Sequence, residues 1–309
     1  MILLIYFLLA AGSLLYFAKR LTISGECLGD RLGLDSTLIG AILLASITSL
    51  PELITSGASA YMGNESMAVA NIFGSNIFNL SIIFFLDIFI LKGCHIIGEV
   101  DRNSSLNMLK GLIVATVLFI IGFKLNLTIL RISVVTPVIF LVCLRFFKGE
   151  EGSQEECRNE SFTEQLIRFL IDSVGVVVLA IILSKLADRM AVTPVMGITL
   201  GQTAVGGFFL ALTTSLPEFM VCIEAIKRKN YNIAMGNILG SNLFNLATFI
   251  LLDLLTKESI YRNLSELKVS IIIGALLMHV ILFVGVSIGN RYLSLVMGMT
   301  YMYFSYISI

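Results

Sequence analysis

Long apolar runs recur along the chain, with short polar segments between them. They fall near 2–18, 36–60, 66–91, 108–123, 127–147, 165–184, 193–226, 231–256, 267–286 and 291–308. An α-helix needs roughly 20 apolar residues to cross a hydrocarbon core, so the pattern predicts ten spans and an all-α polytopic membrane fold. The third and eighth runs contain polar residues but are still too apolar to be loops of a soluble protein. The one substantial hydrophilic stretch divides the chain into an N-terminal half 1–147, a linker 148–164 and a C-terminal half 165–309, each half with five spans. Met1 to Phe17 has no basic residue in front and Lys19 and Arg20 behind it. A signal peptide has the opposite order, so the segment reads as a retained first helix with its N-terminus outside.

Composition strengthens this picture. Of 309 residues, 57% are hydrophobic and 14% charged, and mean hydropathy is +0.94. Soluble domains carry about 25% charged residues, so this chain could not cover a soluble surface. A cytosolic enzyme, a nucleic-acid binder and a disordered scaffold are excluded, and the expected surroundings are the lipid bilayer. Nothing points to an obligate protein partner. Lys+Arg and Asp+Glu both number 21. With the N-terminus outside, 14 of the basic residues fall on inside segments and 7 on outside ones. That bias predicts a cell-membrane protein with both termini outside and the central linker cytoplasmic. Five scattered cysteines read as packing residues or free thiols, not as a disulfide framework or a zinc site. His95 and His279 lie far apart and form no ligand cluster.

Self-similarity is the strongest signal. Residues 44–87 align without a gap on 210–253 at an offset of 166, with 19 of 44 positions identical. The first copy holds Thr48-Ser49-Leu50-Pro51-Glu52 and, later, Asn71 through Gly74-Ser75-Asn76 to Asn79. The second holds Thr214-Ser215-Leu216-Pro217-Glu218 and Asn237 through Gly240-Ser241-Asn242 to Asn245. Five spans per half is an odd number, so the second copy starts from the opposite side of the membrane. The halves form an inverted-topology repeat, an architecture of secondary transporters that places the site near the midplane.

The repeated residues carry chemistry that a membrane interior does not tolerate idly. Pro51 and Pro217 remove the N–H that would bond the carbonyls of Ile47 and Thr213. A broken turn at membrane depth must line a polar cavity or find another partner. Glu52 and Glu218 follow these prolines, with no Lys or Arg nearby on the same helix. An intramembrane carboxylate costs a few kcal/mol on insertion scales and calls for a cation or a proton. Thr48 and Ser49 precede Glu52 by four and three residues and share its helical face. Asn71, Ser75 and Asn79 recur every four residues as a polar stripe, repeated as Asn237, Ser241 and Asn245. Ala70-x-x-x-Gly74 and Gly236-x-x-x-Gly240 predict close helix approach along the same stripes. All candidate ligands are oxygens, which disfavours soft transition metals. Ca²⁺ takes about 6–8 oxygens in flexible geometry. Two bidentate Glu with Asn79 and Asn245 approach that number and balance one divalent charge. Emptied of Ca²⁺, the same charges suit Na⁺ or protons. Asp87 and Asp253 also match between the halves and are expected to be structural.

At these motifs the sequence resembles the cation/calcium exchanger superfamily, most of all its prokaryotic sodium/calcium exchangers. The resemblance rests on TSLPE with GSNIFN in one half and TSLPE with GNILGSNLFN in the other. It implies an antiporter, working by alternating access around a midplane site and moving Na⁺ against Ca²⁺, with no resident cofactor. It also implies roles: Glu52 and Glu218 as central Ca²⁺ carboxylates, and Asn79 and Asn245 as the other central positions. Thr48, Ser49, Thr214, Ser215, Ser75 and Ser241 are implied as flanking Na⁺ ligands, with the carbonyls of Ala45 and Ala211 added. The chain departs from the family where Ile47 and Thr213 replace a glycine that often precedes TSLPE. Asn rather than Asp at 245 argues against K⁺ cotransport and leaves two carboxylates. The linker is too short for regulatory calcium-binding domains.

The alternative of the same fold is a Ca²⁺/H⁺ antiporter, which needs a Glu that takes up a proton in the working pH range. A cation channel fits poorly, because channels place one filter on a symmetry axis. An intramembrane hydrolase using Glu52 or Ser49 fits worse, since no His is near in sequence and a single catalytic centre has no use for a duplicate. The chain is therefore expected not to be an enzyme.

Overall fold

Polar caps start several of the helices. Asp35 accepts from Leu38 N at 3.0 Å, Asp101 from Ser104 N at 2.8 Å, and Ser161 with Glu164 forms a reciprocal capping box. Asn64 and Asn230, equivalent in the repeat, cap equivalent helices through Met67 N and Ile233 N. The computed structural model describes residues 2–91, 96–129, 132–147, 161–192, 213–262, 264, 269–290 and 292–308.

The helices run in chain order as α1 Ile2–Arg31, α2 Ser36–Thr48, α3 Leu50–Tyr61, α4 Glu65–Phe89, α5 Ile96–Glu99, α6 Arg102–Leu125 and α7 Val135–Phe146. The second half supplies α8 Phe162–Val192, α9 Leu216–Lys227, α10 Tyr231–Ala247, α11 Phe249–Leu255, α12 Val269–Ile288 and α13 Leu293–Ser308. Six of the described helical segments are long and apolar enough to cross a bilayer, and α2 with α3 makes a seventh, bent by 45°. Two shorter apolar helices, in α7 and α13, fill the fifth and tenth positions. Of the expected seventh span, 193–212 lies outside the described residues and α9 is its second part. The described helices fit the expected ten-span helical membrane fold of two inverted halves.

Four departures from the sequence pattern have physical causes. The first helix does not stop near residue 18 but continues to Arg31. Arg20, apparently a membrane boundary, pairs at 2.8 Å with Asp172 of α8, whose side chain is fully buried. The expected fifth span at 127–147 begins only at Val135. Asn126 ends α6 in the left-handed region at φ 44°, and a two-residue hairpin follows, β1 Thr128–Ile129 with β2 Ile132–Ser133. The eighth span is interrupted at Thr248, whose hydroxyl donates back to the Asn245 carbonyl at 2.7 Å. Cys27 is disulfide-bonded and does not fit the free-thiol expectation. Cys143 and Cys222 are free and buried, as expected.

Close backbone contact locks the two halves together. A Cβ on Gly236 would fall 2.1 Å from the Thr37 carbonyl oxygen, and one on Gly240 would fall 2.4 Å from the Ala41 Cα. Gly40 approaches Ile233 and Asn237 in the same way. Three glycines thus let α2 and α10 touch along their backbones, as small-residue spacing allows in membranes. Phe73, Phe119, Phe249 and Tyr261 stack beside them with centroids 4.5–5.6 Å apart. Large apolar side chains such as Ile2, Leu8 and Leu9 on α1 and Ile171 and Val174 on α8 face outward, as a lipid-facing surface does.

Candidate functional site

The two proline motifs break their helices in the same way. α2 ends at Thr48, Ser49 sits at φ −89° and ψ 1°, and α3 restarts at Leu50. In the second half Ser215 sits at φ −94° and ψ 18° before α9. Proline occupies the first turn of each new helix, where no N–H is required. Glu52 and Glu218 therefore stand in the first turns of α3 and α9, at the positive ends of those helices. That is how a buried carboxylate is held without a cationic side chain. Among the described residues, neither pairs with Lys or Arg. Both Glu are almost wholly buried, at 2% and 1% exposure.

Around them the side chains meet across the repeat. Ser49 Oγ donates to Glu218 Oε1 at 3.3 Å, from one half to the other. Asn79 Nδ2 donates to Asn242 Oδ1 at 3.1 Å, and Asn245 Nδ2 donates to Asn76 Oδ1 at 3.0 Å. Asn242 Nδ2 donates to the Asn76 carbonyl at 3.0 Å, and Asn76 Nδ2 returns to the Asn242 carbonyl at 3.4 Å. The four amides form a reciprocal set in which each half holds the other. Asn76 and Asn242 were not among the sequence candidates. They lie one position off the four-residue stripe. Their identity in both copies was the available signal.

Several oxygens in this region have no hydrogen-bond partner among the described residues. They are both carboxylate oxygens of Glu52, Glu218 Oε2, Asn79 Oδ1, Ser215 Oγ and Ser241 Oγ, all buried. A buried polar atom without a hydrogen bond costs about 1–3 kcal/mol, and more when charged. These six oxygens, all in the repeated motifs, are hard donors of the kind that Ca²⁺ or Na⁺ would satisfy.

The remaining candidates divide. Thr48 is buried, with its hydroxyl 3.3 Å from the Ala45 carbonyl and 3.5 Å from Asn237 Oδ1. Ala45 is buried too, and its carbonyl already accepts Ser49 N at 3.0 Å. Thr214 is half-buried, and Ala211 lies outside the described residues. Ser75 and Ser215 line a cavity of about 330 Å³ with Thr55, Ser59, Asn71 and Ser184. The first residues of the two stripes act as glue. Asn71 donates to Ser56 Oγ at 2.8 Å and Thr55 Oγ1 at 3.3 Å, while Asn237 donates to the Glu218 carbonyl at 3.4 Å. Asp87 and Asp253 bind backbone: Asp87 accepts from Ile96 N at 2.9 Å, and Asp253 from Ser133 N and Ile260 N, both at 2.7 Å. Their expected structural role holds.

Comparison with known proteins adds four findings. The family model described as sodium/calcium exchanger protein matches residues 2–147 and 165–309. An uncharacterised membrane protein of Methanocaldococcus jannaschii is 31% identical, covering 77% of this chain and 76% of its own. The sodium/calcium exchanger MaX1 of Methanosarcina acetivorans is 23% identical over 77% of each chain. Among solved structures, the sodium-calcium exchanger NCX_Mj soaked with 2.5 mM Na⁺ and 0.1 mM Ca²⁺ superposes with a TM-score of 0.75. It is 22% identical, and the match covers 98% of this chain and 97% of that one, a likeness of fold.

Proposed function

Because this chain belongs to the sodium/calcium exchanger protein family, we propose that it is a secondary antiporter exchanging Na⁺ for Ca²⁺ across a cell membrane. The observation that carries the reading is the set of six buried, unpartnered oxygens gathered from both copies of the repeat. They include three of the four carboxylate oxygens of Glu52 and Glu218, so one Ca²⁺ is neutralised by two charges. Asn79 Oδ1 and the hydroxyls of Ser215 and Ser241 extend the donor set toward the 6–8 oxygens Ca²⁺ takes. Asn245 is the second central amide, and Ser75, Thr48, Ser49 and Thr214 flank the centre as positions where Na⁺ is expected once Ca²⁺ has left. The Ala45 carbonyl joins that set only when Thr48 turns away from it, and the Ala211 carbonyl is its counterpart by the repeat.

The chain's own groups supply the rest of the mechanism. The helix breaks at Ser49 and Ser215 bring each Glu to the start of a helix, where the backbone dipole stabilises its charge. The crossed amides hold the halves in register while a cation is bound. A carboxylate pair stripped of its cation is costly in a dry interior, so release of one ion is tied to capture of another. The halves 1–147 and 165–309, joined through 148–164, each supply one copy of the repeat to the shared site around which access alternates. We place both termini outside and the linker in the cytoplasm.

The test is ⁴⁵Ca²⁺ uptake into Na⁺-loaded proteoliposomes at constant pH, with an outward Na⁺ gradient present or collapsed. Uptake that follows the gradient is the expected result. Uptake indifferent to Na⁺ but driven by an imposed pH gradient would overturn it.

A further inference from the structure

One residue at this site belongs to neither copy of the repeat. His279 lies near the middle of α12 and is fully buried. Its Nε2 is 3.4 Å from Asn242 Nδ2. A ring nitrogen that faces an NH₂ group must offer its lone pair, so the ring proton sits on Nδ1. Asn242 is then committed on every side. One N–H goes to the Asn76 carbonyl, the other to His279, and Oδ1 accepts from Asn79 Nδ2. Asn79 keeps its NH₂ on Asn242 and leaves Oδ1 without a protein partner.

We propose that His279 is a positioning residue of the cation site: by accepting from Asn242 it fixes that amide, and so turns the oxygen of Asn79, not its NH₂, toward the ion. The proposal rests on the reading of Asn79 as an ion ligand. Its physical basis is the polarity of an amide chain. Were Asn242 rotated by half a turn, it would present NH₂ to Asn79. Asn79 would answer with Oδ1, and its NH₂ would face the ion and repel it. The two orientations are nearly equal in shape, so the choice falls to the acceptors facing Nδ2: the Asn76 carbonyl at 3.0 Å, and His279 Nε2 as the second. The first half does this differently. The position 166 before His279 is Ile113, which has no hydrogen-bonding side chain. Asn76, the counterpart of Asn242, bonds to Asn245 and to the Asn242 carbonyl.

The experiment compares His279→Met, His279→Phe and His279→Gln with the unaltered protein in proteoliposomes, with Asn79→Ala alongside. Half-saturation by Ca²⁺ and maximal rate are read separately. Met and Phe remove the acceptor and are expected to raise half-saturation about tenfold with little change in maximal rate, equivalent to about 1.4 kcal/mol of binding. Gln offers an acceptor oxygen and is expected to stay within about twofold. The Ca²⁺-induced rise in unfolding temperature of purified protein provides a readout independent of transport. In the Asn79→Ala background, His279→Met is expected to cost no further Ca²⁺ affinity. Weakened Ca²⁺ binding in Asn79→Ala, with Met, Phe and Gln variants all unchanged, would overturn the positioning role alone. Gln weakened as much as Met would also overturn it. Unchanged Ca²⁺ affinity in Asn79→Ala would overturn the ligand reading, and the positioning role with it. A variant that fails to insert is replaced by its partner in the series, since Met and Phe carry the same expectation.

Discussion

The two copies of the repeat have the same motif and the same helix break, yet they bond differently. Ser49 is spent on Glu218 of the opposite half, while its equivalent Ser215 has no hydrogen-bond partner among the described residues. Asn71 ties together α3 and α4 of its own half, whereas Asn237 bonds the backbone of Glu218 and meets Thr48 across the interface. Identical residues at identical positions therefore occupy two roles. The motif decides which groups reach the site, and the conformation of the moment decides which of them are engaged. For an inverted pair that alternates, the natural reading is that the roles exchange between the halves as access switches.

The comparison can be broken most decisively at the carboxylates. Glu52→Gln and Glu218→Gln are each expected to abolish Ca²⁺ exchange in proteoliposomes, although only Glu218 accepts from a serine. Full activity in either variant would mean that the halves do not share one site. Next in size is Asn245→Asp, which adds a third carboxylate on one side only. Ion selectivity is expected to change while insertion is retained, as measured by Ca²⁺ uptake against competing Na⁺ and K⁺. A variant that never reaches the membrane would count against a ligand role.

Gly240→Ala tests the close approach of α10 to α2. Overpacking costs about 1–3 kcal/mol, so this variant should lower the unfolding temperature of the purified protein in detergent. An unchanged unfolding temperature would show that the approach is not tight. The smallest effect is expected at the serines. Ser49→Ala removes a hydrogen bond to Glu218 but no proposed Ca²⁺ donor, and should raise the Ca²⁺ half-saturation less than Ser215→Ala does. Equal shifts would make the two hydroxyls equivalent ligands.

Much of this was legible in the amino-acid order because duplication exposes it. The repeat, the paired Pro-Glu breaks and the Gly236/Gly240 approach follow from residues that recur at a constant offset. What was hidden is what does not recur, or what depends on distant chain. His279 has no counterpart in the first half, so self-similarity passes over it. Arg20 reads as the end of a span until Asp172, 152 positions later, is brought beside it. Asn76 and Asn242 stood inside the matched motifs but missed a four-residue stripe, although an i, i+3 neighbour of Asn79 or Asn245 shares its face equally well. The hairpin at 128–133 was lost in an apolar run because Thr128, Ile129 and Ile132 suit a strand as readily as a membrane helix.

The crossed asparagines have an electrical consequence. Amides bring oxygen to an ion without bringing charge, so with Glu52 and Glu218 ionised the centre carries two negative charges and no more. Loaded with one Ca²⁺ or two Na⁺ it is neutral, and the transmembrane potential does not act on its passage. Every Na⁺ carried beyond the second leaves one uncompensated charge, on which 100 mV does about 2.3 kcal/mol of work. The number of sodium ions per cycle is thus written in the current the protein passes, and the voltage sensitivity of that current belongs to the sodium-loaded half of the cycle.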